Sequence, residues 1–150
     1  MLSEMKKVVP VMFQPSDFGV DTDCDSINMS GFHKATFIFN FGTCGGAVTV
    51  TPKSGASDGT STTAVPSIYA LGGAAIGAAN CDVLAAWTTT DTTVVATATT
   101  KMLVVEIDAS NMTDGEEWLT LNVASASGVA SAVAILEPRY TGNRSTSALA

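Results

Sequence analysis

Between Lys34 and Phe41 the aromatic residues Phe37, Phe39 and Phe41 fall at every second position, with Thr36, Ile38 and Asn40 between them. A period of two places alternate side chains on opposite faces of a strand, so one face here is strongly apolar and is expected in a core. Glycines and a cysteine punctuate the chain from Gly42 to Gly46, and alternation resumes over Ala47 to Thr51, with Val48 and Val50 opposite Ala47, Thr49 and Thr51. The two runs are expected to pair as a β-hairpin.

The same periodicity returns along the chain. Thr92 to Thr97 and Lys101 to Ile107 are rich in β-branched residues, and the second sets Leu103, Val105 and Ile107 against Met102, Val104 and Glu106. Glu117 to Val123 sets Leu119, Leu121 and Val123 against Trp118, Thr120 and Asn122. Val129 to Glu137 sets Ala130, Ala132, Ala134 and Leu136 against Val129, Ser131, Val133 and Ile135. Ser67 to Leu71 reads as a further short strand, Pro52 to Thr63 as an exposed loop, and Asp82 to Trp87 as either a helical turn or a strand. Asp114-Gly115 is the sharpest turn signal in the polar stretch Asp108 to Glu117. Roughly eight short strands separated by turn residues, with little helix, predict an all-β fold: an antiparallel β-sandwich, jelly-roll-like in connection.

The chain has 150 residues, a length that suits a single domain spanning 1–150. At its N-terminus Lys6 and Lys7 precede the apolar run Val8 to Phe13, which contains Pro10 and leads to Pro15. That run is shorter than the roughly 7–15 residues of a secretory h-region, so no export signal is expected. Two readings of it stay open, an extended arm over about residues 1–15 docking on a partner, or an edge strand of the chain's own fold. From Asn143 the sequence is small and polar, which reads as a flexible tail or an arm ordered by a neighbour.

Charge limits the partners. Charged residues make up 14% of the chain, 7 Lys and Arg against 14 Asp and Glu, for a net charge of -7. Ordinary globular domains carry about 25% charged residues, and nucleic-acid binding rests on clustered Lys and Arg, so no nucleic-acid partner is expected. No run approaches the roughly 18 apolar residues of a membrane helix, since Leu71 to Ala79 is broken by glycines, and no membrane partner is expected. In place of charge the strands show Thr, Ser and Ala, a neutral hydrogen-bonding surface suited to close packing against neighbours.

Residues that carry chemistry are few. His33 is the only histidine, and it would have to serve as base in any Ser-His-Asp or Cys-His arrangement; a strand-entry role beside Lys34 fits it better. Cys24, Cys44 and Cys81 lack the spacing of a zinc site and are odd in number, so they read as reduced thiols from a cytosolic site of synthesis. Asp21, Asp23 and Asp25 alternate like the start of a calcium loop, but Ser26 and Phe32 stand where an EF-hand loop needs Gly and Glu. A solvated acidic loop is the better reading, with a calcium site of another kind left open. Glu116 and Glu117 are adjacent and would point to opposite faces of one strand, which argues against a glycosidase pair. Trp87, Trp118, Tyr69 and Tyr140 form a sugar-stacking platform only if they converge outside the core. No catalytic, cofactor-binding or metal residue is assigned, and the chain is not expected to be an enzyme.

The order of segments resembles a known group. Pro10 to Phe18, then Asp25-Ser26-Ile27-Asn28-Met29 and Gly31-Phe32-His33-Lys34-Ala35-Thr36-Phe37-Ile38, is similar to the opening of small structural proteins of tailed bacteriophages. Val104 to Ser110, Glu117-Trp118-Leu119 and the closing Ile135-Leu136-Glu137-Pro138-Arg139-Tyr140 are similar to the same group. The resemblance covers about a third of the chain and consists of strand and turn patterns. It implies a capsid decoration or cement protein on the outer capsid surface of the virion, made in the host cytoplasm. Its implied partners are the major capsid protein and further copies of itself, as a dimer or trimer. The alternative is a receptor- or carbohydrate-binding β-sandwich module on a tail fibre or cell surface.

Overall fold

The structure, a computed structural model, describes residues 6–18, 21–90, 92–140 and 147–149. Among these residues twelve strands occur in the order β1 (Lys7–Phe18), β2 (Thr22–Asp23), β3 (Ile27–Asn28), β4 (Phe32–Cys44), β5 (Val48–Gly55), β6 (Thr63–Ala64), β7 (Ser67–Leu71), β8 (Thr88–Thr90), β9 (Val94–Ala96), β10 (Met102–Asp108), β11 (Trp118–Ala124) and β12 (Gly128–Pro138). The one helical element among the described residues is a 3-10 turn over Ala109–Asn111, capped by the Asp108 side chain accepting from the Ser110 N–H at 2.8 Å. No helix among these residues is long and apolar enough to cross a membrane.

The strands form two antiparallel sheets, one ordered β1-β12-β4-β10-β7-β8 and the other β2-β11-β5-β6, with β3 on β11 and β9 on β5. The pairings are nested: β1 takes β12, β2 and β3 take β11, β4 takes β10, and β5 takes β9. The chain is thus one long antiparallel hairpin rolled over two sheets, which is the jelly-roll connection. Between β5 and β9, the additional strands β7 and β8 widen the larger sheet beyond β10.

Period-two alternation explains the core. In the larger sheet the inward row runs Val9, Ala134, Phe37, Val105, Tyr69, and the next runs Ala132, Phe39, Leu103, Leu71. Phe37, Phe39, Leu103 and Val105 are fully buried, as are Val48, Val50, Leu119, Leu121 and Val123 facing them from the second sheet. Ala130, Ala132 and Ala134 stand directly opposite Phe41, Phe39 and Phe37, so a column of small side chains borders a column of rings. Phe39 and Phe41 are themselves stacked, with centroids 5.5 Å apart.

Three expectations need correction. β4 and β5 are not a hairpin: the turn after Cys44 carries the chain from one sheet to the other, and the flanks of β4 belong to β12 and β10. The Ala column of β12 leaves the space the phenylalanine rings fill, whereas branched Val48 and Val50 beside them would compete for it. Second, Pro52 to Thr63 is a loop only over residues 56–62, because β5 continues to Gly55 and β6 begins at Thr63. The Pro52 carbonyl turns away from β11 to accept the Val65 N–H at 2.9 Å, so its missing N–H faces the gap between β9 and β6 and breaks no ladder bond. Gly55 then allows the tight return, since a Cβ there would lie 2.5 Å from the Thr60 carbonyl oxygen. Third, Asp82 to Trp87 makes neither helix nor strand; its one sheet-like contact is the bridge of Leu84 to Gly72.

Both ends of the chain pack on the fold where they are described. Of the two readings of the N-terminus, residues 7–18 take the edge strand, with Val9 and Val11 buried; residues 1–5 of the suggested arm lie outside the described residues. In the suggested tail, residues 143–146 and 150 lie outside the described residues, but Ala148 is 2% exposed rather than loose.

Candidate functional site

The outer faces of the two sheets differ in chemistry. On the larger sheet, register places Val8, Ile135, Thr36, Glu106 and Ile68 in one cross-strand row and Pro10, Val133, Ile38, Val104 and Ala70 in the next. Val8 is 51% exposed, Ile135, Val133 and Ile38 are half-buried, and Val104 and Ala70 are buried within the face. Among the described side chains, charge lies at one end, where Lys34 pairs with Glu106, Lys6 pairs with Glu137, and Asp108 stands in register with Lys34. The result is an apolar patch carried by Val8, Pro10, Val133, Ile135 and Ile38 on β1, β12 and β4, bordered on β10 by Glu106.

The second sheet presents Thr49, Thr51 and Lys53 from β5 and Thr120 and Asn122 from β11. These groups are largely engaged with one another and with their neighbours. Thr120 and Ser26 hydroxyls lie 2.6 Å apart, Thr51 and Thr93 hydroxyls 3.5 Å apart, and the Asn122 amide donates to both Asp21 and Asp23.

The chemically suggestive residues disperse among other tasks. Asp21 and Asp23 share the Asn122 donor, while Asp25 uses its N–H to bond the Val11 carbonyl. Asp23 and Asp25 border a small cleft with Asp58, but among the described residues no three carboxylate, thiol or imidazole groups come together as a metal cage. Burial pushes the Cys24 thiol far up, with the Asp23 and Asp25 charges adding to the effect, so it is an inert core thiol. Cys44 is also raised by burial, against the pull of the Thr99 hydroxyl, and all three cysteines are free. His33 is exposed at the start of β4.

Glu116 and Glu117 have separate roles. The Glu116 carboxylate accepts from the Ser54 hydroxyl at 2.5 Å and the Thr63 hydroxyl at 2.8 Å, closing one end of the sandwich over the fully buried Ser54. Both glutamates border a cavity of about 490 Å³ with Met29, Met112, Asp114 and Arg139. Arg139 is held there by its Nε donating to the Phe32 carbonyl at 3.0 Å and its N–H donating to the Gly31 carbonyl at 2.8 Å.

The aromatic candidates do not share a surface. Tyr69 points inward and packs against the core; Trp118 lies on the second sheet beside Asn28 and Gly55. Trp87 precedes β8 at the edge of the larger sheet and is 46% exposed, and Tyr140 follows β12 and is 73% exposed. The apolar outer face had a signal in the sequence, the branched side chains at Val133, Ile135 and Ile38, but its significance depended on which face of each strand turns inward.

No protein-family model matches the chain, and no curated protein matches its sequence. Among solved structures, the chain is similar to the SPBc2 prophage-derived protein YomS, with a TM-score of 0.49 at 11% identity over 88% of this chain and 94% of that one. It is also similar to a pilus protein of Bacillus endospore appendages, with a TM-score of 0.38 at 15% identity over 89% of each chain. A third similarity is to a CBM4 structure, with a TM-score of 0.33 at 14% identity over 86% of this chain and 68% of that one.

Proposed function

We propose that the chain is a non-enzymatic structural protein of a tailed-bacteriophage virion that decorates or cements the outer capsid surface. Its partner is the major capsid protein, with further copies of itself alongside as a dimer or trimer. The observation that carries this reading is the outer face of the larger sheet. Its branched apolar side chains on β1, β12 and β4 and the ion pairs at its border match what a flat protein interface requires, a centre poor in charge with a polar rim.

Purified particles are expected to contain the protein at a fixed, high copy number; particles without it overturn the reading. Particles stripped of it are expected to lose their shells at lower temperature than complete ones, because binding energy that exists only in the assembled state is lost. Equal survival removes the cementing role and leaves decoration.

A further inference from the structure

On the outer face of the larger sheet, a small cavity lies beyond the apolar patch. Glu106, Ile68 and Thr89 carry one cross-strand row of that face onto β10, β7 and β8. In the next row Lys34 stands opposite Asp108, but β7 begins only at Ser67, so no strand continues past Asp108. Pro66 and the 3-10 turn close the gap instead, with the Asn111 amide donating to the Pro66 carbonyl at 3.4 Å. The space left between them is a cavity of about 210 Å³. That is below the roughly 300–1,000 Å³ of small-molecule sites and suits a single side chain.

Ile68 and Pro66 give the cavity apolar sides. Its charges do not balance: Glu106 and Asp108 supply two carboxylates, and Lys34, paired with Glu106, is the one cation among the bordering residues. The Ser110 hydroxyl and then its N–H hold the Asp108 carboxyl below its ordinary value, so it is ionised at neutral pH. Ser67, which also borders the cavity, is 3% exposed, and its hydroxyl has no partner among the described residues. One net negative charge, an unused hydroxyl and apolar sides match an aliphatic stem that ends in a cation.

We infer that this cavity receives a basic side chain, arginine or lysine, from the protein that covers the outer face of the larger sheet. The inference rests on the reading of that face as an interface, and adds the chemistry the partner must bring to it. The stem lies along Ile68 and Pro66, and the head meets Asp108. Because the cavity opens in the same face as Val133 and Ile135, a partner seated on the patch reaches it across Thr36 and Glu106. A basic anchor in a pocket beside an apolar centre has the make-up of an interface hot spot.

The test titrates the full chain with Nα-acetyl-arginine methylamide and its lysine counterpart, followed by amide NMR shifts, with the norleucine counterpart as uncharged control. A basic probe is expected to shift the Ile68, Thr89 and Asn111 amides saturably, with a dissociation constant of millimolar order, while the control leaves them in place. Asp108→Asn removes the unbalanced charge and should weaken this binding about tenfold. Thr89→Lys, at an exposed position on the rim, supplies an ammonium from the chain itself and should block the cavity; it serves if Asp108→Asn does not fold. No saturable shift from either basic probe, equal shifts from the control, shifts spread over all the acidic loops, or binding unchanged in the folded variants overturns the inference. So does a T89K chain that loses the probe yet docks on stripped particles as well as the native one, since the cavity would then lie outside the interface. Absence of the protein from particles overturns the capsid reading and leaves the titrations to decide this one.

Discussion

The two sheets bury similar inner faces and show the solvent different outer ones. β12 and β11 illustrate the contrast. On β12 the small residues Ala130, Ala132 and Ala134 turn inward and the branched Val133 and Ile135 turn out; on β11 Leu119, Leu121 and Val123 turn inward and Thr120 and Asn122 turn out. A sheet made only to close a core has the second pattern, because hydrogen-bonding residues outside satisfy themselves and water. In the first pattern the apolar side chains that would serve a core stand on the opposite side. The difference teaches that β12 fits small side chains to the phenylalanine column within and turns its branched side chains outward.

Four measurements break or sharpen this contrast. The largest effect is expected for Phe39→Ala, which empties the ring column beside Ala132 and should cost about 3–5 kcal/mol of stability in urea unfolding. If it unfolds no more easily than Ile38→Ala on the outer side, the assignment of inner and outer faces is wrong. Next, Val133→Lys should weaken docking to stripped particles about a hundredfold, by forcing a charge into an apolar contact, while Thr51→Lys on the other sheet leaves docking unchanged. Equal losses from the two would show that neither outer face is privileged. Asn122→Ala should cost about 1–2 kcal/mol, since Asp21 and Asp23 lose the amide that both accept from; thermal melts of the variant check it.

The smallest effect concerns pH. The Ser110 hydroxyl and then its N–H hold the Asp108 carboxyl below the ordinary value of 3.8, aided by the charges of Lys34 and His33 and opposed by slight burial. A carboxyl lowered on folding adds stability that is complete above its unfolded value and is lost as the pH falls through its folded one. Asp108→Asn should therefore lower the melting temperature slightly at pH 7, with the gap to the native chain closing in acid. A gap that stays constant down to pH 2 would detach Asp108 from the acid response.

Much of the fold is legible because alternation is local. β4, β10, β11 and β12 each carry a period of two over their own residues, and the all-β sandwich follows from their number and spacing. The partners of each strand are less legible, since pairing is decided by residues far apart: the Ala column of β12 claims the flank of β4 from β5, although β5 is next in the chain. Pro52 hides the second half of β5 because its tolerance depends on where two other strands, β6 and β9, happen to end. The candidate surface is legible only as a composition, low charge with Thr, Ser and Ala, until the structure turns Val133 and Ile135 outward. Nothing in the small polar sequence after Asn143 signals that Ala148 is buried, because its seat is made by Asn28 and its neighbours more than a hundred residues earlier.

The nested pairing sets the order of events when the chain is made. β12 lies between β1 and β4, so the larger sheet has no continuous centre until residue 138 has left the ribosome. Early strands can collapse but cannot complete their ladders, and contacts between distant parts of a chain form slowly, on the order of milliseconds to seconds in β-rich domains. The branched surface of β12 therefore arrives last, after every strand it pairs with has been made, and until then β1 and β4 lack the partner that lies between them.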